Sequence, residues 1–178
     1  MTSFNLQLVS PINIIKKSNF FMNNNYINIY NNLVQLSRNK DLYIEFTTND
    51  QFSDRLLILL FHFAFFLKNI KENEDKKKVQ KIHDAFFNQL ELNLREYGHG
   101  DVNVNKNMKI YINNFFNILN QIISWDILGH KDKESIISNS LSVKSKVVKL
   151  VDYFERYSNY IKKTSLNLFL KGVIKHKF

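Results

Sequence analysis

Only five of the 178 residues are glycine or proline: Pro11, Gly98, Gly100, Gly129 and Gly172. A sandwich or barrel turns sharply every 8–12 or so residues and draws on these two residues to do it. A Rossmann or P-loop protein needs a glycine-rich phosphate loop. Neither fits, and what remains is an all-α chain, whose helices need few special backbone conformations. Hydrophobic residues make up 44% of the sequence, enough for one sizeable core. There is no cysteine, which removes disulfide frameworks, thiol chemistry and Cys-ligated zinc. No internal repeat and no divider between domains is visible. The expected architecture is a single-domain helical bundle of about six helices over residues 23–178, behind a poorly ordered segment, 1–22.

Periodicity places the helices. Tyr26, Ile29, Tyr30, Leu33 and Leu36 keep helical spacing within 23–38, and 41–46 reads as a helical turn. After a loop at 47–50, with Asp50 or Ser53 as N-cap, residues 51–70 form a helix that is apolar almost all round. Its run LLILLFHFAFFL, twelve residues over 56–67, is too short to span a bilayer, which takes about 20. A charged connector, 71–78, leads to the clearest amphipathic helix, 79–97, with Val79, Ile82, Phe86, Leu90, Leu94 and Tyr97 in one stripe. Gly98 is placed to stop it in the left-handed C-cap conformation. The next helix, about 103–125, carries Val104, Met108, Tyr111, Phe115, Leu119 and Ile122. Residues 129–140 read as a polar break with a short helical turn, followed by a helix over 142–161 and a last basic amphipathic piece, 162–178.

The formal net charge is +9. Part of that follows from a bias toward Asn, Ile, Lys and Phe, all encoded by AT-rich codons. The four arginines, Arg38, Arg55, Arg95 and Arg156, say more. In a chain drifting toward Lys, they mark where a guanidinium fork is required. Chemistry of other kinds finds no support. No Ser sits in a Gly-flanked elbow, the five histidines form no HExxH pair, and Asp84, Glu91 and Glu96 lie on different turns. A ligand set of His83, His99 and Asp101 has no metal-site spacing behind it. No catalytic residue, metal or cofactor is expected. His62, inside the apolar run, reads as a core histidine.

Residues 94–109, LREYGHGDVNVNKNMK, are the most informative. They join two amphipathic helices through a Gly-x-Gly corner. Lys106 and Lys109 would sit in the first turns of the second helix, where the macrodipole disfavours cations by about 0.3–1 kcal/mol. Either Glu96 or Asp101 neutralises them, or Arg95, Lys106 and Lys109 form a basic knuckle for an anionic or carbonyl-rich partner.

Here the sequence resembles a known family. The tract Gln35-Leu36-Ser37-Arg38 with Leu42-Tyr43 comes first, then Asp50, Arg55 and Phe61-His62. His83-Asp84-Ala85-Phe86-Phe87 follows, then Leu94-Arg95-Glu96-Tyr97-Gly98-His99-Gly100-Asp101, and finally Val104-Asn105-Lys106-Asn107-Met108-Lys109. In order and spacing, over about residues 26–125, this is similar to the ubiquinol–cytochrome c chaperone family, the assembly factors of the cytochrome bc1 complex. Asn105 stands where that family often has Pro.

The resemblance implies a non-enzymatic assembly chaperone that binds newly made cytochrome b, or another nascent membrane subunit of the complex, and assists biogenesis of ubiquinol–cytochrome c reductase. It also implies a second assembly factor, proximity to the ribosome and peripheral contact with the inner membrane. Residues 1–11 have no basic n-region, so no secretory or transit segment is expected and a bacterial cytoplasmic member fits. Carried over position by position, the partner-binding candidates are Arg55, His62, Asp84, Phe87, Arg95, Glu96, Gly98, Gly100, Asp101, Lys106, Met108 and Lys109. A groove between the helices at 56–67 and 79–97 would suit an apolar client. The rival reading from composition is a basic helical RNA- or ribosome-binding module, whose affinity would fall steeply with salt.

Overall fold

The computed structural model describes residues 26–44, 52–70, 74–98, 100–141 and 147–171. The expectations for 1–22, for Asp50 as a cap and for the basic C-terminal end fall outside these residues, as does His99. Every described element is helical: α1 (Ile27–Ser37), α2 (Asp41–Ile44), α3 (Phe52–Ile70), α4 (Lys76–Glu96), α5 (Asp101–Ile122), a 3-10 turn (Trp125–Ile127), α6 (His130–Ser140), α7 (Val147–Lys163) and α8 (Leu166–Lys171).

The bundle is arranged around α3, which packs against α1, α5 and α7. Beyond its exposed first turn its apolar residues lie on every side: each residue from 58 to 67 is buried, and Phe61, Phe63, Phe65 and Phe66 fully so. Burying each such ring contributes about 1.5–3 kcal/mol. Phe63 stacks on Phe86 of α4, with centroids 3.7 Å apart and planes 9° from parallel. Its ring centroid is 5.0 Å from that of Phe115 of α5. Phe65 stacks on Phe154 of α7 and meets Trp125 edge-on. Phe61, Phe63, Phe65, Phe66, Phe86, Phe87 and Phe115 are buried where the helices meet, and Phe116 is partly buried against them.

Polar side chains fix how the helices dock. The Nδ2 of Asn32 donates to Phe169 O at 3.1 Å, and that of Asn28 to Leu170 O at 2.7 Å, binding α1 to α8. The Asn69 amide donates to Ser158 at 3.1 Å, and Tyr157 donates to His62 O at 3.2 Å, both linking α3 to α7. At the far end of the bundle Asp126 accepts from Lys68 at 2.6 Å and from Lys162 at 2.7 Å, joining the 3-10 turn to α3 and α7. Burial works against the Asp126 carboxylate, but the two lysines outweigh it and hold its pKa below the usual value.

Three elements differ from the sequence expectation. Helix α4 begins at Lys76, inside the supposed connector, because the Asp75 side chain caps it by accepting from Lys78 N at 2.7 Å. Helix α5 begins at Asp101 rather than 103, with Gly100 at the N-cap. Residues 130–140, expected to hold only a short turn, form a full helix. It buries Ile137 alone, and is held to α7 by Lys133–Glu155 at 2.6 Å.

Candidate functional site

The α4–α5 corner is built by backbone first. Tyr97 N bonds to Asn93 O at 3.1 Å and Gly98 N to Arg95 O at 3.0 Å, closing α4. Gly98 then turns the chain at φ +83°, a conformation in which a Cβ is unfavourable. Nothing lies within 4 Å of where that Cβ would be, so the demand is conformational and not steric.

Arg95 clasps the corner from inside. Its Nη2 donates to Glu91 at 2.8 Å and to Asn105 at 3.3 Å, and its Nη1 pairs with Asp101. The Glu91 hydrogen bond, then the charges of Glu91 and Asp101, raise the guanidinium pKa further. Asp101 and Glu91 thus serve Arg95, not the lysines. Lys106 and Lys109 project from the exposed face of α5. They share that face with Val102, 82% exposed, and Ile110, 46% exposed, while Tyr97 is 74% exposed just before the corner. Glu96 is exposed as well.

The remaining candidates separate. His62 is fully buried, Phe87 and Met108 nearly so, and none of the three offers surface to a partner. Their place in the pattern reflects packing: His62 bonds within the core, Phe87 meets Phe63 edge-on at 6.0 Å, and Met108 lies on the inward stripe of α5. Asp84 accepts from Gln80 at 2.8 Å on its own helix, beside His83 at 3.2 Å. The His83 Nε2 is buried with no hydrogen-bond partner among the described residues, surrounded by Phe63, Phe87, Phe115 and Phe116. Arg55 is exposed on α3 and lies over the Tyr43 ring, 5.7 Å from its centroid.

Beside the corner is a recess of about 790 Å³ between α1, α3 and the end of α4. Val34, Leu56, Leu59, Leu90 and Leu94 line it, and Arg38, Arg55 and Glu96 are the charged residues among its walls. It lies where α3 and α4 were expected to leave a groove, with α1 adding a third wall. On that wall the Tyr30 hydroxyl accepts from Asn93 at 2.8 Å. Burial raises the Tyr30 pKa, against the Asn93 bond and the charge of Arg38. Among the described residues no cluster of His, Asp and Glu is arranged to hold a metal ion, and no helix is long and apolar enough to cross a membrane.

Comparison with known proteins agrees with this architecture. The crystal structure of the Cbp3 homolog from Brucella abortus superposes with a TM-score of 0.67, covering 84% of this chain and 87% of that one at 22% identity. That likeness is one of fold. No curated protein matches the chain. The family model described as ubiquinol–cytochrome C chaperone matches residues 45–177, which takes in the corner and the C-terminal helices beyond the 26–125 span of the motifs. The chain therefore belongs to the ubiquinol–cytochrome C chaperone family.

Proposed function

We propose that the chain is a non-enzymatic chaperone of cytochrome bc1 assembly that holds newly made cytochrome b, working at the cytoplasmic side of the inner membrane. The observation that carries this reading is the corner surface. Tyr97, 74% exposed, and Val102, 82% exposed, stand at the two helix ends that Arg95 joins through Glu91, Asp101 and Asn105. Exposed apolar side chains close together are what a chaperone presents to an oily client. Lys106 and Lys109, on the same face, suit carbonyl-rich helix ends or acidic loops. Membership of the family supports the same reading. The second assembly factor and the ribosome remain partners of this proposal.

The test is co-purification of cytochrome b with the tagged chain, together with bc1 content after deletion of the protein. The expected result is enrichment of cytochrome b and loss of the complex. The variant Val102→Asp, made on the exposed face, should abolish enrichment and leave the fold intact. Normal bc1 content in the deletion strain would remove the reading. A nucleic-acid module would instead bind RNA with an affinity that drops steeply between two salt concentrations.

A further inference from the structure

We infer that the end of the bundle opposite the corner is the surface that meets the bilayer: its lysines hold the phosphates of anionic lipids while Ile127 and Leu168 enter the interface. This names a membrane-facing surface for the working place proposed above and rests on that reading, but not on the client surface.

Charge singles out this end. Over residues 162–178 the sequence has five lysines, Lys162, Lys163, Lys171, Lys175 and Lys177, and no carboxylate. AT-rich codons favour Lys throughout the chain but do not gather it. Lys76, Lys77 and Lys81 stand exposed in the first two turns of α4. The fold brings the two groups together, because Lys78 shares the walls of a recess of about 340 Å³ with Lys162 and Lys163.

The carboxylates here are engaged. Glu74 pairs with Lys78 at 2.7 Å, Asp75 caps α4, and Asp126 is taken by Lys68 and Lys162. Lys76, Lys77, Lys81, Lys163 and Lys171 are exposed and make no ion pair among the described residues. Lys163 and Lys171 suit the C-terminal ends of their own helices. Lys76 and Lys77 do not: they occupy the first turn of α4, which holds no acidic residue and where the macrodipole opposes cations. Helix stability gives no reason for them, whereas an anionic surface does.

The apolar part lies at the same end. Ile127, 86% exposed, follows the Asp126 that Lys68 and Lys162 hold. Leu168 is 55% exposed on α8, with Lys171 three residues on and therefore its neighbour on the helix. Helix α8 is anchored from behind by buried Leu166 and Phe169, and by the Asn28 and Asn32 bonds to its carbonyls. Aliphatic side chains set among lysines suit a bilayer, where the chain enters the acyl boundary and the ammonium stays with the phosphates. A single-stranded nucleic acid offers the same phosphates, but it is gripped by aromatic rings rather than aliphatic ones. Helix α4, with 21 residues, is about 30 Å long and keeps the corner that far from the lipid.

The experiment is co-sedimentation of the full chain with vesicles. Vesicles of equimolar phosphatidylglycerol and phosphatidylcholine should bind it, more weakly as salt rises, and pure phosphatidylcholine vesicles should not. Lys76→Gln/Lys77→Gln should weaken binding by about tenfold or more. Ile127→Ser/Leu168→Ser, which keeps every charge, should also weaken it by about tenfold or more. Arg38→Gln/Lys40→Gln removes the same charge from the far end of α1 and should leave vesicle binding unchanged. Absence of binding by the wild-type chain overturns the proposal, as does undiminished binding in either of the first two variants. Equal loss in Arg38→Gln/Lys40→Gln would mean that net charge alone is read, and overturns it too. Binding of single-stranded RNA that Lys76→Gln/Lys77→Gln loses and Ile127→Ser/Leu168→Ser keeps, with no vesicle binding, would mark a nucleic-acid surface and overturn it equally. The vesicles carry no client, so this result and the cytochrome b result can fail separately.

Discussion

The His62 ring and the Tyr153 hydroxyl meet at the centre of the bundle, with Nε2 2.7 Å from the phenol oxygen. The other ring nitrogen lies 2.8 Å from Ile58 O, and a carbonyl can only accept, so Nδ1 carries the proton. Nε2 is left to accept from Tyr153. With the Asn69–Ser158 and Tyr157–His62 O bonds, this one joins α3 to α7, here across a sequence separation of 91 residues.

Removing one partner should be costly. Tyr153→Phe leaves the buried Nε2 unsatisfied, and the expected loss is about 1–3 kcal/mol in urea unfolding. The double variant His62→Leu/Tyr153→Phe should recover part of that loss. Equal stabilities of Tyr153→Phe and wild type would contradict the bond.

The same histidine predicts a pH dependence. Burial pushes its pKa down to about 4, only partly opposed by the Ile58 hydrogen bond. The unfolded chain takes up a proton near pH 6.5 while the folded one does not, so stability is full above pH 6.5 and falls as pH drops toward 4. The contribution lost is about 3 kcal/mol. Unfolding midpoints measured between pH 7 and 4 check it, with the double variant losing distinctly less over that window.

Gly98→Ala should destabilise the chain by about 1–2 kcal/mol, since an L-residue is placed in the left-handed region. No neighbour would be struck, so Gly98→Asn should cost less. A thermal melt separates the two; a loss in Gly98→Ala well above this range would mean that a contact, and not the backbone, is at stake.

His83→Phe should leave stability unchanged or raise it. The substitution removes a buried Nε2 that has no partner among the described residues and puts a ring beside Phe63, Phe87, Phe115 and Phe116. A loss above about 1 kcal/mol would show that the 3.2 Å contact of His83 Nδ1 with Asp84 matters more than the orphaned nitrogen.

Phe63→Ala should cost about 3–5 kcal/mol, because Phe86, Phe87 and Phe115 converge on that ring from two other helices and cannot all close the space. Differential scanning calorimetry gives the value directly.

Much of this was readable in the residues. The scarcity of glycine and proline leads to an all-α chain, and the stripes of α4 and α5 follow from spacing alone. Gly98 takes the left-handed cap for which its position marks it. What periodicity missed is held by tertiary contact. Helix α6 has a single buried residue, so its own pattern is nearly blank, and its hold comes from α7. Three lysines at the start of α4 look like a solvated turn until the Asp75 cap is seen. The site divides in the same way. The corner is local, and its sixteen-residue stretch, 94–109, could be picked out from the sequence, although only the structure shows Arg95 turned to Glu91, Asp101 and Asn105. The recess draws on α1, α3 and α4, far apart in the chain: a groove between α3 and α4 was expected, with Arg55 among the candidates, but the α1 wall of Tyr30, Val34, Ser37 and Arg38 was not.

The position of α3 has a consequence for the protein's own biosynthesis. A ribosome delivers α3 well before α5 and α7 exist to cover it. Until synthesis reaches Ile161, the emerging polypeptide displays the same greasy rod that it would shield in others. A half-finished copy is itself in need of a holdase, and truncations that stop short of α7 are expected to precipitate.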